Sequence, residues 1–397
     1  NAFLEPGDDL MGLKLDHGGH LTHGSEFNRS GATYKIVHYG IDPKTGHISY
    51  DEIREKAHQF KPKMLIAGAS AYPWEMDFVK LREICDETGT ILFADVAHPS
   101  GLMACGLLMS PVGLADVITT TTHKTLCGPR GAIILTTNER YANKIDVGVF
   151  PGEQGGPHIN QMAGKAVSFM LDNTEDYADL MRLVVQNAKA LSDALAEEGL
   201  TIAYGGTENH LCLVDLRKIK SPTGHKLTGE MASRILDLIG ITCNKNTIAG
   251  DSDAAQPGGI RLGTTWITQR GMKPEHMPRL AKIIAKALTN TYTFRYMESD
   301  GFVGRAKVDF GIYEELKSEL AGLVADVDAE TEIEEPSGYP YFFSLDDKKD
   351  SYDEKEGVYS VRGHTLQEHL TSAREEVETA KKAAFVDCPQ HGALLVG

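Results

Sequence analysis

A chain of 397 residues, 41% hydrophobic and 24% charged, is too long for one compact core and has the composition of a soluble globular protein with two or three domains. Its formal net charge of −16 argues against a nucleic-acid-binding surface, and no apolar run approaches the ~20 residues that span a bilayer. Residues 1–20 lack the basic-then-apolar order of a secretory signal. The six cysteines (Cys85, Cys105, Cys127, Cys212, Cys243 and Cys388) show neither a CxxC pair nor metal spacing, so reduced thiols and a cytoplasmic location are expected.

The chain opens without Met at NAFLEPG (1–7) and ends at GALLVG (392–397), as if inside a helix and a strand, and is expected to be part of a longer polypeptide. HGGHLTHG (17–24) packs three histidines and three glycines into eight residues. With no acidic or thiol ligand close by, no metal is expected there. A loop that lets an imidazole stack on a planar ring is the better reading.

Apolar strands then alternate with amphipathic helices. Strands are expected over 64–70, 90–95, the threonine-rich 116–124 and 132–137, with a helix over 77–87. This alternation predicts a mostly parallel sheet covered on both faces, with its ligand beyond the carboxyl ends of the strands, where Ser70, Asp95 and Lys124 fall. FPGEQGGP (150–157) is a glycine loop with free N–H groups suited to a phosphate. Helices over 177–198, 230–239 and 278–289 and strands over 201–204 and 211–216 predict a smaller α+β domain. Beyond Val324 the acidic stretches 326–336 and 346–356 read as linkers or solvated loops, and an amphipathic helix is expected over 365–384.

The run DVITTTTHKTLCGPRG (116–131) carries the chemistry. Four threonines are poor material for an ordinary buried strand, because each hydroxyl must find a partner. A strand that ends in Lys124 and a tight turn suits delivery of an amine into a polar pocket, where a Schiff base with pyridoxal phosphate is the obvious use. Asp95, at the end of an apolar strand in FADVAH (93–98), is costly unless paired, and a pyridinium nitrogen is a suitable partner; capping of a following helix is the alternative. His98 gains meaning from that pair. Arg261, bordered by glycines, reads as a fork for a carboxylate or as a surface salt bridge.

On these residues the chain resembles serine hydroxymethyltransferase. The resemblance rests on HGGHLTHG (17–24), GASAYP (68–73), FADVAH (93–98), TTTTHKTLCGPRG (119–131), VFPGEQGGP (149–157), GGTENHLCLVDL (205–216), NKNTI (244–248) and GIRLGT (259–264), in the family's order and spacing. It implies an α/β fold of the type I pyridoxal-phosphate transferases, like aspartate aminotransferase. A large domain (1–174) would hold the mostly parallel sheet, a small α+β domain would cover 175–326, and 327–397 would form an acidic linker and extension. The implied reaction moves the hydroxymethyl group of serine to tetrahydrofolate, giving glycine and the methylene folate, in a homodimer or dimer of dimers with no nucleic-acid or membrane partner.

The resemblance also implies roles. Lys124 would form the Schiff base, Asp95 would pair with the pyridine nitrogen, His98 would lie by the phenolic oxygen, and His20, with His23 close by, would stack on the ring. Ser70, Thr121 and His123 would hold the cofactor or its phosphate, and Gly155 and Gly156 would donate N–H groups to that phosphate across a dimer interface. Arg261 would bind the substrate carboxylate and Asn246 the folate pterin. Three departures stand out. The family's N-terminal segment, with a Ser-Gly-Ser turn, an acidic residue and two tyrosines, has no counterpart in residues 1–397. Gly-Thr-Pro-Ala is here GTTW (263–266), which raises a folate-independent aldolase or an α-methylserine-type transferase as alternatives. A non-catalytic relative is a third reading, against which Lys124, Asp95 and Arg261 all stand. Residues 357–372 resemble the opening of a glycine-cleavage aminomethyltransferase domain, with an accessory tail as the alternative.

Overall fold

The computed structural model describes residues 1–251, 256–298, 301–330, 351–353, 358–361 and 364–365. Its contacts divide the chain into Asn1–Thr331 and Glu332–Gly397. In the second unit the described residues are three short antiparallel strands, Ser351–Asp353, Val358–Val361 and His364–Thr365. The helix expected over 365–384 and most of the stretch 357–372 lie outside the described residues.

The first sheet is built from β1 (Asp9–Leu13), β2 (Lys35–Tyr39), β3 (Met64–Gly68), β4 (Ile91–Asp95), β5 (Val117–Thr121) and β6 (Ala132–Leu135), in the order β2-β1-β3-β4-β5-β6. Every pairing is parallel except β5 with β6. Helices α1 (Arg29–Thr33), α2 (Tyr50–Phe60), α3 (Phe78–Thr88) and α4 (Ser100–Ala104) fall between these strands. All five residues of β3 are buried, which is why its sequence is a continuous apolar run instead of an alternation. Leu65 and Ala67 join α2 and α3 in one cluster with Ile53, Phe78, Leu81 and Ile84, while Met64 and Ile66 meet Leu4 and Leu10 in another. Helix α3 starts where the Asp77 carboxylate accepts from Lys80 N at 3.0 Å and stops at Gly89 in the left-handed region.

Helices α5 (Glu139–Val149) and α6 (Ile159–Asp172) lead to α7 (Glu175–Glu197), capped by the Thr174 hydroxyl. Its buried stripe, Tyr177, Met181, Val184, Ala188, Leu191 and Leu195, steps by threes and fours, the spacing of one helix face. A second, antiparallel sheet follows: β7 (Thr201–Ile202), β8 (Leu211–Asp215), β9 (Asn244–Asn246) and β10 (Gly259–Gly263), ordered β7-β8-β10-β9. With α8 (Gly229–Ile239), α9 (Thr265–Gln269) and α10 (Met277–Thr289) in place, Val214, Ile260, Leu236 and Ile284 share one core. A hairpin of β11 (Thr291–Glu298) and β12 (Gly301–Val308) and the long α11 (Phe310–Glu330) complete the unit.

Two expectations need correction. The strand expected over 201–204 is only two residues long, because Ala203–Gly205 turns as a 3-10 helix with Tyr204 at φ 62°. The acidic stretch from Asp326 does not begin as a linker. It is the last turn of α11, with Val327 buried and with Asp326, Asp328 and Glu330 paired to Arg279, Arg270 and Lys273. Like charges that look solvated in sequence are here matched by basic residues on and just before α10.

Candidate active site

Three neighbouring parallel strands, β3, β4 and β5, aim their carboxyl ends at one place. Register sets Gly68 beside Asp95 and Asp95 beside Thr119. Ser70 lies two residues past β3, Asp95 ends β4, and Lys124 lies three residues past β5. Gly68 is required by this closeness: a Cβ there would stand 2.4 Å from the Asp95 carbonyl oxygen. Three of the four hydroxyls in the threonine run find carbonyl partners. Thr120 and Thr121 donate to the carbonyls of Thr121 (3.1 Å) and Ala97 (3.2 Å), and Thr122 donates to Pro129 O (2.6 Å), closing the turn after Lys124.

Asp95 is held by His23. The buried imidazole comes from the 3-10 turn Leu21–His23, and its Nε2 lies 2.9 Å from Asp95 Oδ2; Ala97 N donates to Oδ1 at 3.2 Å. Burial alone would raise the carboxyl pKa. The His23 hydrogen bond and charge, with the Ala97 N–H, outweigh it, and Asp95 is held below the usual carboxylate range. An ionised carboxylate with lone pairs to spare suits a protonated ring nitrogen. His20 is exposed, bonded through Nδ1 to Thr22 Oγ1 (2.8 Å), with its ring 5.7 Å from that of His23. Its pKa is lowered by burial of part of the ring and by His23, while Asp95 opposes.

Lys124 is partly buried. Burial lowers its pKa, Asp95 opposes the shift, and Arg261 and Arg130 add to it. The result is an amine eased toward its nucleophilic neutral form. His123 is shifted downward by burial, Arg130 and Lys124, and its Nδ1 stands 3.5 Å from Gly131 N. His98 sits after β4; its carbonyl accepts from Thr125 Oγ1 at 2.7 Å and its Nδ1 is 3.3 Å from Nε2 of His210. Burial, followed by the charges of Lys124 and Arg261, pushes the His98 pKa far down, and burial brings His210 down to about 3. Burial thus favours the neutral form of both rings.

Arg261 reaches the same place from β10. It donates through Nη1 to Ser70 O and through Nε to Asn244 Oδ1 (3.0 Å), and burial lowers its pKa. Among the described residues no carboxylate pairs with it. Asn246, on β9, is partly buried and donates to Thr247 O, while Thr247 in turn reaches Leu15 O at 3.3 Å. Ser70, Asp95, His98, Lys124 and Arg261 therefore meet at one locus. Gly155 and Gly156 do not join it: they lie in an exposed loop where a Cβ would meet nothing within 4 Å. Trp266 is 71% exposed on α9.

His210 was missed as a site residue, although it lies within the quoted segment 205–216. Its one signal is a titratable ring directly before the fully buried strand β8. The donor set fits pyridoxal phosphate: an amine of lowered pKa for the carbonyl, an ionised carboxylate for the ring nitrogen, and, for an amino-acid carboxylate, an arginine with no carboxylate partner among the described residues. Residues 1–284 match the family model described as serine hydroxymethyltransferase.

Proposed function

This chain belongs to the serine hydroxymethyltransferase family, and from that membership we infer how the residues around Lys124 divide the work. The family's reaction depends on pyridoxal phosphate and moves the hydroxymethyl group of serine to tetrahydrofolate, leaving glycine. Membership favours tetrahydrofolate as the acceptor over folate-independent cleavage. When bound, the cofactor supplies an electron sink for the bond broken at the substrate α-carbon.

Lys124 would hold the cofactor through its carbonyl and would be the amine that serine replaces. Asp95, held below the usual carboxylate range with the help of His23, would keep a proton on the ring nitrogen. His98 would offer its remaining ring nitrogen to an anionic oxygen, and His20 would cover the ring face. Ser70, Thr121 and His123 line the phosphate side. Arg261 binds the serine carboxylate, and Asn246 faces the folate. The observation that carries this division is Arg261, a partly buried guanidinium without a carboxylate partner among the described residues, beside the Lys124 amine. A substrate carboxylate supplies the missing counter-charge.

The assembly we propose is a homodimer. Val147, Phe150, Ile159 and Met170 are exposed on α5, α6 and the loop between them, which also carries Gly155 and Gly156. Pairing of this face would cover apolar surface and bring the loop's N–H groups to a partner's phosphate. The proposed location is the cytoplasm, supported by five free cysteines in the described residues. Serine cleavage by the full-length protein, assayed with and without tetrahydrofolate, tests the function: a strong dependence on the folate is expected, and equal rates would overturn it.

A further inference from the structure

The contact between His98 and His210 is edge to edge. Their planes differ by 16°, and the nitrogens approach to 3.3 Å while the ring centroids stay 5.6 Å apart. Two neutral imidazoles in such a contact share one proton, so one nitrogen donates and the other accepts. Which does so decides the tautomer of His98, and with it whether Nε2 is a donor or an acceptor.

The far side of His210 supplies the decision. His210 is 6% exposed, and its Nδ1 is buried without a partner among the described residues. It lines a cavity of about 30 Å³ together with Trp74, whose Nε1, also buried, has no partner either. Ser70, Tyr72, Glu75, Asp95, His98 and Asn209 complete the polar part of the lining, and Glu75 accepts from Met109 N. The Tyr72 oxygen and the Asn209 amide are already engaged, by Ile48 N, Tyr72 O and Leu211 N. An indole N–H can only donate, and a bare imidazole nitrogen can accept. One water in this cavity, accepting from Trp74 and donating to His210 Nδ1, would satisfy both at once and leave the His210 proton on Nε2.

We propose that His210 is a positioning residue: it donates from Nε2 to His98 Nδ1 and so keeps the His98 proton on Nε2, making His98 a standing donor for an anionic oxygen of the bound cofactor. Its value to catalysis rests on the reading of His98 given above, whereas the tautomer itself does not. A ring free to adopt either tautomer would meet that oxygen with a lone pair part of the time, and this loss is of the kind a histidine's orienting partner prevents.

Nitrogen-15 NMR of the histidine-labelled protein, with and without pyridoxal phosphate, reads the tautomer directly. His98 is expected to show a bare Nδ1 and a protonated Nε2. His210→Gln, which can place an amide N–H near the position of Nε2, retains that pattern; His210→Phe, which has no donor, gives a mixture of both tautomers. In turnover, kcat falls for the Phe variant and recovers in the Gln variant, while the KM for serine holds. A wild-type His98 protonated on Nδ1, or an unchanged single tautomer in His210→Phe, would overturn the proposal. A normal tautomer pattern in a protein that does not turn over serine would instead count against the transferase reading alone.

Discussion

His23 and Asp95 are 72 residues apart in sequence and joined by a 2.9 Å hydrogen bond between Nε2 and Oδ2. The bond ties the glycine- and histidine-rich loop to the end of β4, and it is the second-largest influence on the Asp95 carboxyl after burial itself. The loop's role is thus electrostatic as well as steric.

Replacing His23 by Leu should therefore cost stability. A buried hydrogen bond to a charged group contributes about 1.5–3 kcal/mol, and its loss leaves Asp95 partly buried without its main partner. The sign with pH follows from the lowered carboxyl. Stabilisation by Asp95 is present above its unfolded pKa of about 3.9 and is lost as pH falls through the lower folded value. Urea melts between pH 7 and pH 3 should show His23→Leu losing most at neutral pH and converging with the wild type in acid. A constant offset across that range would contradict the role assigned to His23.

Arg261→Lys should raise the KM for serine by roughly 10-fold or more, since a lysine cannot supply the forked pair of donors and about 1.5–3 kcal/mol goes with each charged hydrogen bond. Steady-state kinetics with serine and with glycine read this effect. An unchanged KM for both would place the substrate carboxylate elsewhere.

At Gly68 even one methyl group is too much. A Cβ would meet the Asp95 carbonyl oxygen at 2.4 Å, so Gly68→Ala must push β3 and β4 apart. The expected penalty is about 1–3 kcal/mol, the usual range for overpacking, with weakened cofactor binding because Ser70 follows β3 and Asp95 ends β4. Thermal melts and cofactor titration check the two effects together.

If the proposed homodimer forms, Phe150→Glu and Met170→Asp should dissociate it, because both residues are exposed on the face proposed for pairing. Light scattering with size-exclusion chromatography reads the mass. A variant that stays dimeric, or a wild type that is monomeric, would move the interface or remove it.

The sequence announced its site more openly than its fold. β3 stood out because a strand buried on both faces must be continuously apolar, and β4 because its apolar run ends in a carboxylate. β2, at the sheet edge, reads as an unremarkable Lys-Ile-Val-His-Tyr, and β1 is a short segment broken by Gly12, so neither was expected. The order β2-β1-β3-β4-β5-β6 depends on pairings between distant segments that no local pattern encodes. α11 escaped notice because its buried positions, Leu316, Leu323 and Val327, are sparse and its end is acidic. Lys124, Asp95 and Arg261 were readable because a charged group in or just past an apolar strand needs a reason. His210 was not, because a single histidine before a strand looks like any core residue until its partner is seen.

The most direct test is chemical. Reduction with borohydride in the presence of pyridoxal phosphate, followed by peptide mapping, locates the lysine that joins the cofactor. The label is expected on Lys124 and absent from a Lys124→Met variant; a wild-type label confined to other lysines would contradict the assignment of Lys124.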